Sequence, residues 1–400
     1  MRRVAKTMGQ AGDDALRRVL LVRGGALSPH SGLGGSFHDL KTSLESGKIQ
    51  GWESAGCEEY HLPKGSSGLK RLWMRWFQHP RKVARAIGTL HSAKKVDLVH
   101  VADQEQAHLI PKRSPVPVIV YVHDFFHLLP SVMNLNGERI EVGEQRPGMI
   151  RKRDLKRLMK GLRRADGFVC NTKATEALCR QHFPKMPLLR VAYGLDVTQY
   201  APPSILPKPP TSLQEHACHL LVVGSHDPRK RLKFIIQIIA SLPEKQRQEI
   251  QVHHVGGDEC PYGGLNASEM AAASNITWHS VGSEVPDDEL NLYRWHTEVL
   301  LFASAAEGFG YPPVESMAAG QPALASNLPA HNELMPEGTC LEAEDESAWR
   351  EAILNVHAAW ASREGAQRHP DAALMEHVNF LSPERFHSGM QEAWTLHASK

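Results

Sequence analysis

The stretch SAAEGFGYPPVESMAAGQPALASN (304–327) sets two glutamates, Glu307 and Glu315, eight positions apart around two glycines and a Pro-Pro pair. A strand-like apolar run (299–303) comes immediately before it. The order reads as strand, loop, helix, strand. The loop SAAEGFGY leads into a helix opening at Pro312 or Pro313, where proline is tolerated because the first amides of a helix have no intrahelical acceptor. Gly320 suits the helix stop and PALAS the following strand. Gly308 and Gly310 let backbone amides approach a ligand closely. The helix start adds free N–H groups and a positive dipole end, together an anion site whose dipole contributes ~0.3–1 kcal/mol when exposed. A carboxylate beside an anion site is contradictory unless the ligand joins phosphate to a polyol, whose hydroxyls donate to carboxylates. The competing reading makes Glu307 a plain loop acid and Glu315 a first-turn acid favoured by the dipole.

Outward from this unit, short apolar runs bounded by Gly, Pro or Asp recur. They lie at 17–25, 96–103, 116–124, 166–172 and 188–194, and again at 219–225, 250–257, 276–283, 298–304 and 322–327. Helix-period segments separate most of them; RDLKRLMKGLRR sets Leu155, Leu158, Met159 and Leu162 on one stripe. Such alternation predicts an α/β chain with parallel sheets covered on both faces. YAPPSILPKPPTSLQ (200–214) interrupts with five prolines, which continue neither a helix nor a central strand. It is read as a linker, because 400 residues suit two cores better than one. A Ser-Pro-Glu start at Ser382 predicts a final helix.

A composition of 42% apolar and 22% charged residues with net charge +2 is that of a soluble globular chain and gives no overall argument for nucleic acid. The six cysteines are scattered without a CxxC pair, which suits reduced thiols better than a disulfide or zinc framework. No run reaches the ~18 apolar residues that span a bilayer. Asp13 and Asp14 fall where a signal peptide needs its apolar stretch. A cytoplasmic protein is expected.

EGFGYPPVE closely resembles the E-x7-E motif of the retaining, nucleotide-sugar-dependent "group 1" glycosyltransferases (glycosyltransferase family four). SMAAGQPALASNLPAHNEL resembles that family's continuation, including the later acid Glu333. Other matches follow in order: SGLGGSFHDL as its glycine loop, VIVYVHDF as its strand ending in His-Asp, AYGLDVTQYAP as the close of its first domain, and LLVVGSHDPRKRL as the basic loop opening the second. The resemblance covers about 17–341. It implies a GT-B fold, two Rossmann-like domains facing across a cleft, with the C-terminal helix crossing back to the first. The implied divisions are a flexible N-terminal segment (1–16), an acceptor domain (17–199), the Pro-rich linker (200–215), a nucleotide-sugar domain (216–378) and the C-terminal helix (379–400).

The implied reaction moves a sugar from a UDP- or GDP-linked donor to an acceptor hydroxyl of a glycan, a lipid-linked molecule or a small molecule. Catalytic roles fall on His123, facing the transferred sugar, on Arg229 and Lys230 at the leaving diphosphate, and on Glu307 at sugar hydroxyls. Gly34, Gly35, Gly308, Phe309, Gly310 and Tyr311 would line the diphosphate and sugar, and Glu315 would hold the ribose diol. No cofactor is implied beyond the donor substrate. No D-x-D lies between a strand and a loop, so no metal is expected; cations and the helix dipole would replace it. Many members carry arginine directly after the glycine of the first second-domain strand, whereas Ser225 and His226 follow Gly224 here, which puts the individual roles of Arg229 and Lys230 in question. The alternatives are a GT-B epimerase or inverting transferase, or a non-catalytic sugar-nucleotide-binding or membrane-associated protein.

Between Lys64 and Lys95 stand nine Lys/Arg and no acid, and 151–164 holds eight basic residues against Asp154. Trp73, Trp76 and Phe77 lie among the first group at helical spacing. An anionic membrane surface, at the cytoplasmic face, is one partner that 64–95 fits. Three others stay open: tryptophans packed into their own domain, a cleft wall for an acidic acceptor, and, least favoured, nucleic acid.

Overall fold

The computed structural model describes residues 16–27, 32–63, 65–214, 216–260, 266–283, 285–364 and 366–399. The expected N-terminal segment 1–16 therefore lies, apart from Leu16, outside the described residues, as do Ser31, Lys64 and Glu215 at the edges of other motifs. The first lobe is built on β1 (Arg17–Gly25), β2 (Trp52–Tyr60), β3 (Leu98–Val101), β4 (Val118–Val122), β7 (Gly167–Cys170) and β8 (Leu188–Arg190), all parallel in the order β2-β1-β3-β4-β7-β8. β5 (Ser131–Leu135) and β6 (Glu138–Val142) form a separate antiparallel hairpin. The second lobe has β9 (Cys218–Val223), β10 (Ile250–Val255), β11 (Thr277–Gly282), β12 (Val299–Phe302) and β13 (Ala323–Ala325), parallel in the order β11-β10-β9-β12-β13.

The inner strands are buried along their length, β3, β4, β7, β10 and β12 without an exposed residue. Both faces are covered by helices, so their sequences need Val, Ile and Leu at nearly every position instead of an alternating pattern. These are the two Rossmann-like domains that the alternating runs predicted.

Residues 200–214 run along the outside of the second lobe. Pro203 and Pro207 are exposed, and the stretch is tied to helix Asp287–His296 by Trp295 Nε1 donating to the Tyr200 carbonyl (2.8 Å) and by His296 Nε2 beside that of Pro207 (2.9 Å). The last helix, Pro383–Ala398, returns to the first lobe. Its Trp394 is fully buried, packs edge-on against Trp52 and donates from Nε1 to His100 Nδ1 at 2.9 Å. All six cysteines are free thiols. Among the described residues no helix is long and apolar enough to cross a membrane.

Candidate active site

β9 and β12 are parallel neighbours, so their carboxyl ends emerge side by side. After β9 the chain makes one tight turn, Pro228–Lys230, whose Asp227 side chain accepts from the Arg229 amide at 3.0 Å. After β12 comes the loop that carries Glu307. The Ala305 amide donates to the Arg229 carbonyl (2.7 Å), which seats this loop on the turn. Glu307 Oε1 then accepts from Lys230 Nζ at 2.6 Å and from Arg229 Nη1 at 2.9 Å, and the guanidinium also donates to the Ala306 carbonyl at 3.0 Å.

Burial alone would raise the Glu307 carboxyl. Lys230 and Arg229 overcome that and hold it at about 2. Burial draws the Lys230 ammonium below the ordinary lysine value, and Arg229 adds to this while Glu307 opposes it. Arg229 Nε also pairs with Asp227 Oδ2 at 3.2 Å, so the site is a compact group of two cations and two carboxylates. Arg231, the next basic residue, lies apart: it is buried, stands at φ 54°, and bonds the Ala343 carbonyl and Asn136 Oδ1, both at 2.7 Å.

Helix Tyr311–Ala318 starts just beyond the loop, with Gly310 at φ 113° as its N-cap and Gly320 at φ 65° after its end. Those angles belong to the left-handed region, which L side chains other than Asn and Asp rarely enter. The amides of Phe309, Gly310 and Tyr311 precede the first intrahelical bonds. Gly308 is constrained by crowding: a Cβ there would run into the His123 carbonyl oxygen, and its own carbonyl accepts from Thr172 Oγ1 at 3.1 Å. His123 and Thr172 belong to the first lobe, so the glycine loop is where the two lobes touch.

Aromatic rings extend that contact. Tyr311 stacks on Tyr193 at 5.0 Å and Phe309 meets the same ring edge-on at 4.8 Å, each pair giving ~0.5–1.5 kcal/mol beyond burial. Helix Gly32–Glu45 brings its first turn to the same place, with the position of a Gly32 Cβ 3.6 Å from the Tyr311 ring; Gly34 and Gly35 lie in that turn and not in an open loop. Glu333 ties the lobes again, accepting from the Lys173 amide and from Arg190 Nη1, both at 2.6 Å. The hairpin β5–β6 closes the remaining side: Ile140 and Val142 pack on Ala305, and Lys233 reaches Glu138 at 3.4 Å.

Two of these side chains have partners that the sequence did not reveal. His123 stands at the end of β4, but its ring turns into the first lobe, between the Tyr193 hydroxyl at Nδ1 and the Ala102 carbonyl at Nε2 (2.8 Å). A carbonyl only accepts, so the Nε2–H tautomer is set and Nδ1 accepts from tyrosine. Burial lowers this histidine to about 4, which leaves it neutral at pH 7. Its backbone carbonyl accepts from Asn171 Nδ2 (3.2 Å) and Thr175 Oγ1 (3.3 Å) and lies against Gly308. Glu315 is not an unpartnered first-turn acid: Oε2 takes a hydrogen bond from Arg294 Nη2 of helix Asp287–His296. Burial nonetheless raises its carboxyl, with Arg294 opposing and Asp287 adding to the rise.

Arg294, Thr172 and Tyr193 were not singled out from sequence. Arg294 carried one usable signal, an arginine on the inward side of a helix that precedes a buried strand. Among the described residues no group of three or more His, Cys, Asp or Glu is placed to hold a metal ion.

Comparison with known proteins agrees with this layout. The O-antigen chain mannosyltransferase RfbU of Salmonella typhimurium is 35% identical over 74 residues, 18% of this chain and 21% of that protein. The chain thus spans about a fifth of the length of the curated relatives it matches. Sucrose-phosphate synthase from Thermosynechococcus elongatus superposes with TM-score 0.68 at 20% identity, over 96% of this chain and 100% of that one. Anabaena HepE, solved with UDP and glucose, superposes with TM-score 0.61 at 16% identity, over 95% and 99%. These structures show a shared GT-B fold. Residues 50–199 match the model described as "Glycosyltransferase Family 4" and residues 217–358 the one described as "Glycosyl transferases group 1". With one model on each lobe, the chain belongs to the group 1, family 4 glycosyltransferases.

Proposed function

We propose that this chain transfers a glycosyl group from a UDP- or GDP-linked sugar to an acceptor hydroxyl, with retention at the anomeric carbon and charge compensation by side chains and a helix start in place of a metal. The observation that carries the reading is the meeting of Arg229, Lys230 and Glu307 at the carboxyl ends of β9 and β12, beside the amides that open helix Tyr311–Ala318. As the glycosidic bond to the diphosphate lengthens, the sugar gains oxocarbenium character and the phosphate gains negative charge. Lys230 and Arg229 neutralise that charge from positions fixed before the reaction; one such preorganised donor is worth about 2.7–4 kcal/mol.

Glu307, ionised far below neutrality, has no proton to give and serves as an acceptor for sugar hydroxyls. Glu315, oriented by Arg294, accepts from the ribose diol. His123, neutral and bonded on both nitrogens, positions the loop through its carbonyl and takes no proton.

RfbU is named as a mannosyltransferase and HepE was solved with UDP and glucose, so mannosyl and glucosyl nucleotides head the donor panel. The test is nucleotide release from that panel, with and without acceptor, and the product anomer by NMR. Release with an anomer matching the donor is expected. An inverted anomer refutes retention, and no release from any donor refutes transfer.

A further inference from the structure

One cavity does not include Glu307 in its lining and belongs to the first lobe. It has about 620 Å³ and opens at the carboxyl ends of β1 and β2, walled by Tyr60, Leu62, Leu69, Leu72 and Ile150 with Arg71 at its edge. Leu69 and Ile150 also belong to the surface, 81% and 59% exposed, and beside them Met149 and Trp73 are 81% and 56% exposed. Two helices contribute this face, Gly68–Trp73 with its π-type continuation Met74–Gln78, and Met149–Leu162. They are locked side by side: Arg75 forks onto Asp154, Trp76 Nε1 donates to Asp154 at 2.9 Å, and the Arg157 guanidinium lies 4.8 Å over the Trp76 ring. The apolar side chains are therefore presented by rigid elements. Burying them inside the lobe, the competing sequence reading, fails for the exposed Trp73, while Trp76 is half-buried against Asp154 and Arg157.

Basic side chains predominate around this face; the exposed Glu144 pairs with Arg151 and the half-buried Glu58 with Lys82. Lys70, Arg71, Arg81, Arg85, Lys152 and Lys156 are exposed, while the only acid of helix Met149–Leu162, Asp154, is buried under Arg75 and Arg151. A second copy of the chain would bring like charges together, and nucleic acid would gain nothing from exposed leucine and methionine. Apolar side chains with an interfacial tryptophan inside a basic ring match a surface with hydrocarbon below anionic headgroups. We propose that this face docks on an anionic bilayer and that the adjoining cavity receives the hydrocarbon chain of a lipid-linked acceptor. The placement suits transfer: neighbouring strands lie ~4.8 Å apart, so the ends of β1 and β4, with only β3 between them, are about 10 Å apart. A head group above the cavity thus lies one sugar or so from the Gly308 loop.

The acceptor half rests on the transfer reading; docking does not. Sedimentation with vesicles of mixed phosphatidylcholine and phosphatidylglycerol, without donor, is the first arm, and binding of dodecyl phosphate by calorimetry the second. The wild-type chain is expected to bind the mixed vesicles, to release them at high salt, and to ignore pure phosphatidylcholine. Leu69→Ser with Trp73→Ser should weaken vesicle binding at least about tenfold, with thermal stability and donor hydrolysis unchanged. Leu72→Trp, which fills the cavity, should abolish dodecyl phosphate binding while vesicle binding persists. Failure to sediment with the mixed vesicles overturns docking, as does a self-association that the double variant abolishes. Dodecyl phosphate binding untouched by Leu72→Trp overturns the cavity assignment. A silent donor panel beside intact vesicle binding indicts the transfer reading alone.

Discussion

Replacing Arg294 with methionine tests the link between the second lobe's core and its candidate ribose carboxylate. The Arg294 side chain is 1% exposed and that of Glu315 18%, so the pair is shielded and screening is weak. Methionine keeps most of the volume but leaves Glu315 with Asp287 nearby and no cation. Breaking a buried pair by removing one member costs about 3–5 kcal/mol, a large part of the ~5–15 kcal/mol that holds a domain folded. The loss should depend on pH. Without Arg294 the folded-state value of Glu315 climbs further above its ordinary 4.5, so the folded state keeps a proton that the unfolded chain has released. A raised value gives stability that is complete below 4.5 and lost as pH rises, so the deficit relative to wild type grows once pH passes the raised wild-type value, by up to about 1.4 kcal/mol per pH unit. Urea unfolding followed by tryptophan fluorescence, at about pH 6 and about pH 8, measures it in wild type, Arg294→Met, Glu315→Gln and the double variant. The double variant should recover part of the loss, because both ends of the pair are then neutral. A deficit below about 1 kcal/mol, one equal at both pH values, or full additivity in the double variant would refute the argument.

Three more tests address other parts of the molecule. Lys230→Ala should lower the rate of donor cleavage ~10²–10³-fold in initial-rate assays; full activity would remove the ammonium from the mechanism. Gly308→Ala should force the lobes apart, since its Cβ meets the His123 carbonyl, and small-angle scattering should show a larger radius of gyration; an unchanged profile with full activity contradicts the closed contact. Acid should unfold the chain steeply. Burial lowers His100 and His108 to about 3, His123 to about 4 and His253 to about 2, while Asp103 is raised to about 6. Depressed histidines give stability that is whole above their unfolded value and lost as pH falls, and Asp103 opposes them by one proton. From these five groups alone, the unfolded state near pH 5 binds about three more protons, a loss of about 4 kcal/mol per pH unit. A melting temperature flat between about pH 7 and about pH 5 would show that those histidines titrate normally.

The site was legible where chemistry and local geometry coincide. Glu307, Gly308 and Gly310 announced a loop that only small residues can make, and Arg229 and Lys230 follow a strand in the same way. What failed to show was direction. His123 ends its strand as expected, yet strand position does not say which way a ring turns once Tyr193, 70 residues later, offers a hydroxyl. β2 escaped notice because an edge strand reading WESAGCEEY has no apolar run. The hairpin was missed despite its Asn136-Gly137 turn, both at positive φ, a strong local signal.

Periodic burial and turn chemistry are local, so most of the buried strands, the parallel character of the two sheets and the helix start after β12 could be read along the chain. Pairings across it could not. That Glu307 bonds both cations, that Arg294 claims Glu315, and that Gly308 touches the other lobe each depend on which strands lie side by side and how closely two domains meet. Charge pairing acts through space over a few ångströms, and nothing in residue spacing records which distant carboxylate will be there when a buried guanidinium needs one.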